Sequence, residues 1–190
     1  MKKATVKKGE LVEEFHVAFS GVRLSNPLSR AELEELLSDK GEVAVQLVDA
    51  RAVASQRHIV SAAEHAAHSF ARGENIAAKL SLEFLLYLAA DRQLRSAIEK
   101  VGIKEESLEV VAITLGKEKG EVVEALKELL AKLPGEENEN LLEISEEKEE
   151  HLRRLFDIKE DELEAARKVH GEKALEHTIL ERIALFHIRK

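Results

Sequence analysis

The sequence predicts an α+β fold over residues 1–190, a single domain with a small, mostly antiparallel sheet packed against several α-helices. Three observations predict it. The runs Val43–Val48 and Leu108–Leu115 are rich in β-branched residues and nearly continuous in apolarity, as strands buried on both faces are. Phe15, Val17 and Phe19 alternate with His16 and Ala18 at strand period. Elsewhere apolar residues recur at helical spacing, most plainly at Val122, Val123, Leu126, Leu129 and Leu130.

In chain order, Leu11–Ser20 reads as the first strand. Ser29-Arg-Ala-Glu32 has the form of a capping box and opens a short helix through Leu33, Leu36 and Leu37, ending near Gly41. After the strand Val43–Val48 come three helices, over His58–Ala71, Lys79–Leu88 and Arg92–Lys100. Asp91 is placed to N-cap the third, and Gly102 to end it in the left-handed conformation. The strand Leu108–Leu115 precedes an amphipathic helix over Lys119–Leu133, which Pro134-Gly135 breaks. In the acidic stretch Glu136–Glu150, the trio Leu141, Leu142 and Ile144 suggests a short strand. Helices over Glu146–Phe156, Glu160–Lys168 and Glu172–Ile188 complete the chain, the last with Ala174, Leu175, Ile179, Ile183 and Phe186 on its apolar side.

Composition narrows the function. Apolar residues make up 44% and charged residues 35%, a balance of neither a disordered nor a membrane protein. No apolar run approaches the roughly 20 residues of a membrane span. Met1–Glu10 carries lysines without an apolar segment behind them, so no secretory signal is expected and a cytoplasmic location is. Without cysteine there is no disulfide or thiolate metal site. Abundant Glu, Lys and Arg with a single Met is a composition common in hyperthermophiles, and a thermophilic archaeal source is expected. The net charge of −8 is unevenly spread. Arg51–Lys104 holds eight basic and five acidic residues, Gly116–Glu176 eleven basic and nineteen acidic. One stretch is therefore suited to face a polyanion while the other faces water.

Motifs for catalysis are missing. There is no phosphate-binding loop, dinucleotide fingerprint or serine elbow. Gly116-Lys-Glu-Lys-Gly120 is a strand-to-helix turn without the other residues of a phosphate loop. His58, His65 and His68 share one stripe of a helix and so could ligate a metal, although His-Glu-x-x-His is absent. The plainer reading is that they cap, hydrogen-bond or lie on the surface. No carboxylate spacing singles out a catalytic pair, so neither an enzyme nor a cofactor is expected.

The most distinctive stretch is Asn75–Ile103, two consecutive helices with a tight junction near Ala89-Ala90-Asp91. Glu83, Leu85, Leu86 and Tyr87 are followed by a small turn, then Arg92, Gln93 and Leu94, then Ala97 and Ile98, then Gly102 and Ile103. This pattern resembles the accessory subunit family of the KEOPS complex, whose animal member is called the PRPK-binding protein. Two departures are Ala90, where the family pattern has glycine, and Leu94, where it has isoleucine. The order of elements and the closing Leu180-Glu-Arg-Ile-Ala-Leu185 extend the resemblance over most of the chain.

The resemblance implies a non-catalytic protein that binds the KEOPS kinase and, indirectly, the threonylcarbamoyl transferase subunit, in an assembly that modifies tRNA. It also implies contact with the 3′ CCA end of tRNA. Two faces are then required. For kinase docking the candidates are Leu82, Phe84, Leu94, Ile179 and Ile183, with core packing as the plainer reading of each. For RNA they are Arg57, His58, Lys79, Arg92 and Arg95, whose cations can meet phosphate or bases, and Asn75 and Gln93, whose amides can read base edges. Solvated charge is the plainer reading here, or, for Arg92 and Gln93, a tie between helices. A docking module that never touches RNA is the alternative.

Overall fold

The computed structural model describes residues 3–5, 15–37 and 41–189. The sheet is built on β2 (His16–Leu24) and β4 (Glu109–Gly116), antiparallel with Val17 opposite Leu115. β3 (Ala44–Asp49) pairs with the other edge of β4, while β1 (Lys3–Thr5) and β5 (Gly135–Glu137) both pair with β2. The order is β1-β2-β4-β3, and every pairing is antiparallel. Leu11–Glu14 of the strand expected over Leu11–Ser20 lies outside the described residues.

Both faces of the sheet are covered, which is why the strands read as continuous apolar runs. On one face Val17, Phe19, Val48, Val111 and Ile113 join a core with residues of α2 (Gln56–Arg72), α3 (Leu80–Ala89) and α4 (Leu94–Val101). Ile183 and Phe186 of α8 (Ala174–Arg189) enter the same cluster. On the other face Ala18, Val22, Val45, Leu47 and Ala112 pack with α1 (Arg30–Leu36) and α5 (Lys119–Lys132). A third cluster ties α6 (Glu146–Leu155) and α7 (Glu160–His170) to the start of α8 through Leu152, Phe156, Leu163 and Ile179. The α+β class expected from the sequence is the one observed. Among the described residues no helix is long and apolar enough to cross a membrane.

Local signals are met where they are purely local. The Ser29 hydroxyl accepts the Glu32 N–H at 3.3 Å, and Glu32 accepts the Ser29 N–H at 2.8 Å, completing the capping box. Residues 38–40, on the approach to Gly41, lie outside the described residues.

Three local expectations are corrected. Leu141 and Leu142 belong to a 3-10 turn over Glu139–Leu142, and the short strand is instead Gly135–Glu137. That strand follows directly on the Pro134 break and takes the free edge of β2. Asp91 is not the N-cap of α4; Gln93 is, without a side-chain cap. Gly102 is extended at φ −69°, not left-handed. It bridges to Val48, and a Cβ there would lie 2.5 Å from the Ile98 carbonyl oxygen, so closeness rather than handedness requires glycine.

Candidate docking and RNA-facing surfaces

The left-handed residue at the α3–α4 junction is Ala90, at φ 47° and ψ 45°. Its N–H meets the Tyr87 carbonyl at 3.1 Å and the Asp91 N–H meets Leu86 at 2.9 Å, the two bonds of a Schellman ending. Asp91 then organises the start of α4. It accepts from the Gln93 N–H at 3.0 Å and the Ser96 hydroxyl at 2.7 Å, and pairs with Lys100 at 2.7 Å. Burial alone would raise its pKa, but Lys100, Gln93 and Ser96 together hold it below the usual carboxylate value.

The motif residues of α3 are structural. Tyr87 is fully buried, with its hydroxyl 2.8 Å from Nδ1 of His187 and its ring edge-on to Phe186. Glu83 is fully buried too, and its carboxylate holds the α2–α3 loop. It accepts from the Ile76 N–H at 2.9 Å, the Ala77 N–H at 2.8 Å and the Ser69 hydroxyl at 3.1 Å.

The structure divides the RNA candidates. Arg57, Arg92 and Gln93 are exposed near the junction end of the helix pair. Asn75 and Lys79 lie before α3 begins, the helix length of roughly 15 Å away. Arg57 faces Glu176 at 3.5 Å, and Arg95 is paired with Glu99 at 3.0 Å. His58 is fully buried and cannot meet RNA without unfolding its surroundings. Its Nδ1 accepts the Ala54 N–H, and its Nε2 lies 3.0 Å from the Leu88 carbonyl oxygen. Asn75 uses its amide on Ala77. Arg72 and Ile76, not singled out from the sequence, are exposed beside Asn75 and Lys79.

Of the docking candidates, Phe84, Ile179 and Ile183 are fully buried in the core and offer no surface. Leu82 and Leu94 are partly buried. Apolar residues that do reach solvent include Ile98 on α4 and Leu185 and Ile188 on α8, at 45%, 39% and 78% exposure; Ile76, Leu108 and Val169 are exposed elsewhere. Leu185 also borders an open cleft of about 450 Å³ formed with Ala90, Arg92, Phe156, Arg182 and Phe186. The only sequence signal for Leu185 and Ile188 is that they stand off the apolar stripe of the last helix.

The histidine stripe does not converge. His65 stacks on Tyr87 with ring centroids 5.6 Å apart and lies 5.0 Å from His187. Burial, then the neighbouring His187 and His68, push its pKa down to about 4. No group of three or more His, Cys, Asp or Glu among the described residues is arranged to hold a metal ion.

Comparison with known proteins agrees with a docking role. The family model described as kinase binding protein CGI-121 matches residues 19–186. The regulatory protein Cgi121 of Methanocaldococcus jannaschii is 26% identical over 145 residues, covering 76% of this chain and 84% of that protein. The class is therefore that of kinase-binding regulatory proteins. Within it, the chain belongs to the CGI-121 family.

Proposed function

We propose that this protein is a non-catalytic, cytoplasmic subunit of the KEOPS assembly that docks on and regulates its kinase. We further propose that it recruits tRNA by the 3′ CCA end for threonylcarbamoyl-adenosine formation by the transferase subunit. Family membership supports the kinase half. The observation that carries the reading is the exposed apolar group of Leu185 and Ile188 on α8 beside an arginine-bordered cleft. An apolar centre with an Arg-containing rim is the composition of a protein–protein interface. Arg92 and Arg182 supply the rim, with Asp157 beside them.

The RNA half is supported by the α2–α3 loop. Arg72, Asn75 and Lys79 flank Ile76 along the chain, and Ile76 is 48% exposed on backbone that Glu83 holds in place. A fixed apolar side chain among basic and amide groups suits an unstacked terminal base with its phosphates. The two surfaces sit at opposite ends of α3, so one protein can engage both partners at once.

Docking without RNA remains the second reading, favoured by one observation. Burial of His58 and the ion pairs of Arg57 and Arg95 leave fewer basic side chains for RNA than the sequence suggests. Binding of intact tRNA and of tRNA lacking its CCA end, measured across a salt series, separates the two. Binding that needs the CCA end supports recruitment. Equal binding to both, or none, leaves kinase docking alone.

A further inference from the structure

Away from both proposed surfaces, a cavity of about 180 Å³ lies between the turn after β3, the 3-10 turn at Glu139–Leu142 and the first half of α6. That volume equals about six waters at ~30 Å³ each. Lys148 lines it and is only 8% exposed. Its ammonium donates to the carbonyls of Leu141 at 2.6 Å and Glu143 at 3.2 Å, which leaves one proton uncommitted. No described carboxylate is within ion-pairing distance of it. Arg51 gives Nε and Nη2 to Asp49 at 3.1 and 2.8 Å, leaving Nη1. His151, half-buried on the same wall, makes no hydrogen bond among the described residues. The Ser145 hydroxyl, which accepts the Lys148 N–H at 3.3 Å, and the Asn140 amide complete a wall rich in donors.

We propose that this cavity is a binding site for a small free oxyanion of phosphate size, held by Lys148, Arg51 and His151 with Asn140 and Ser145. A buried ammonium bonded only to main-chain carbonyls lacks a counter-charge, and an anion supplies one where the dielectric is low. Glu109, Glu143 and Glu147 also line the cavity, but no carboxylate among the described residues pairs with Lys148. Asp49 is taken by Arg51, and Glu109 by Arg23 at 2.6 Å. Glu143 and Glu147 are exposed, where water screens them. Their charge does oppose a polyanion, so the ligand is a small molecule and not a nucleic-acid backbone.

Proton linkage gives the site a signature. Burial lowers the pKa of Lys148 to about 8, opposed by Glu109 and Asp49. Burial and then Arg51 also lower that of His151. Anion binding requires the charged amine, so affinity falls about tenfold per pH unit above roughly 8. Sulfate, which does not titrate there, is the probe for this.

The test is calorimetric titration and thermal unfolding with inorganic phosphate and sulfate, against chloride at matched ionic strength. Both oxyanions also stabilise proteins generally by exclusion from their surfaces, so the variants decide. Saturable binding that weakens above pH 8 and is lost in Arg51→Gln and His151→Gln is the expected result. Lys148→Met should abolish it as well; should that variant not fold, the other two carry the decision. A response equal to that of chloride, or one unchanged in Arg51→Gln and His151→Gln, overturns the proposal.

Discussion

The imidazole of His58 donates through Nε2 to the carbonyl oxygen of Leu88 at 3.0 Å, joining the start of α2 to the end of α3. Since Nδ1 accepts the Ala54 N–H at 3.1 Å, the ring is neutral with its proton on Nε2. His58→Phe keeps the volume but orphans two buried main-chain groups. The expected loss is about 3 kcal/mol in urea denaturation, at 1–3 kcal/mol per orphaned group. A loss below 0.5 kcal/mol, well under that range, would count against this tie.

Acid should weaken the fold earlier than carboxylate titration would. His58 and His65 titrate at about 4 in the folded chain against 6.5 free. Between those values the unfolded chain binds more protons, so stability falls as pH falls from about 6.5 towards 4. The gap of about 2.5 pH units corresponds to roughly 3 kcal/mol for His58 and less for the part-exposed His65. Stability profiles of the wild type and of His65→Phe, from pH 7.5 to 4.5, check this. A flat profile in the wild type contradicts it.

The junction invites opposite substitutions. Ala90 holds a left-handed conformation that costs a residue with Cβ roughly 1 kcal/mol, so Ala90→Gly should stabilise by about that much. Gly102→Ala should destabilise by roughly 2 kcal/mol, because the new Cβ meets a main-chain oxygen that cannot swing aside. Thermal melts of the pair should move in opposite directions.

Glu83→Gln replaces one of two accepting oxygens with a donor. The amide oxygen can still accept from the Ile76 and Ala77 N–H groups while its nitrogen donates to the Ser69 hydroxyl, so the expected loss is that of charge assistance, about 1 kcal/mol. With the loop as the RNA face, tRNA affinity should drop several-fold while kinase co-purification is unchanged. Unaltered tRNA binding in a measurably destabilised variant would separate the loop from RNA.

The two surfaces should be separable by charge. Leu185→Glu with Ile188→Glu should weaken kinase binding by more than tenfold, since a charge placed in an apolar interface centre is left unpaired. tRNA binding should survive. Arg72→Glu with Lys79→Glu should do the reverse and flatten the salt dependence of tRNA binding. Loss of both activities in either double variant would mean that the surfaces are not distinct.

What the sequence determined by itself is what local chemistry specifies. The Ser29–Glu32 capping box, the buried strands Val43–Val48 and Leu108–Leu115 and the helical stripe of Lys119–Leu133 depend on neighbours a few residues away, and each is present. The family pattern around Glu83 and Tyr87 was also legible, though its residues turn out to hold the fold from inside. The tertiary structure decided the rest, because exposure depends on what packs across. Phe84, Ile179 and Ile183 were candidates for a docking surface, yet the core clusters enclose them and leave Leu185 at a cleft. Arg92 and Lys79 are neighbours in a basic segment but stand at opposite ends of one helix. Lys148 sits in an acidic run that reads as solvated, and only the fold of the 3-10 turn against α6 buries its amine between two carbonyls.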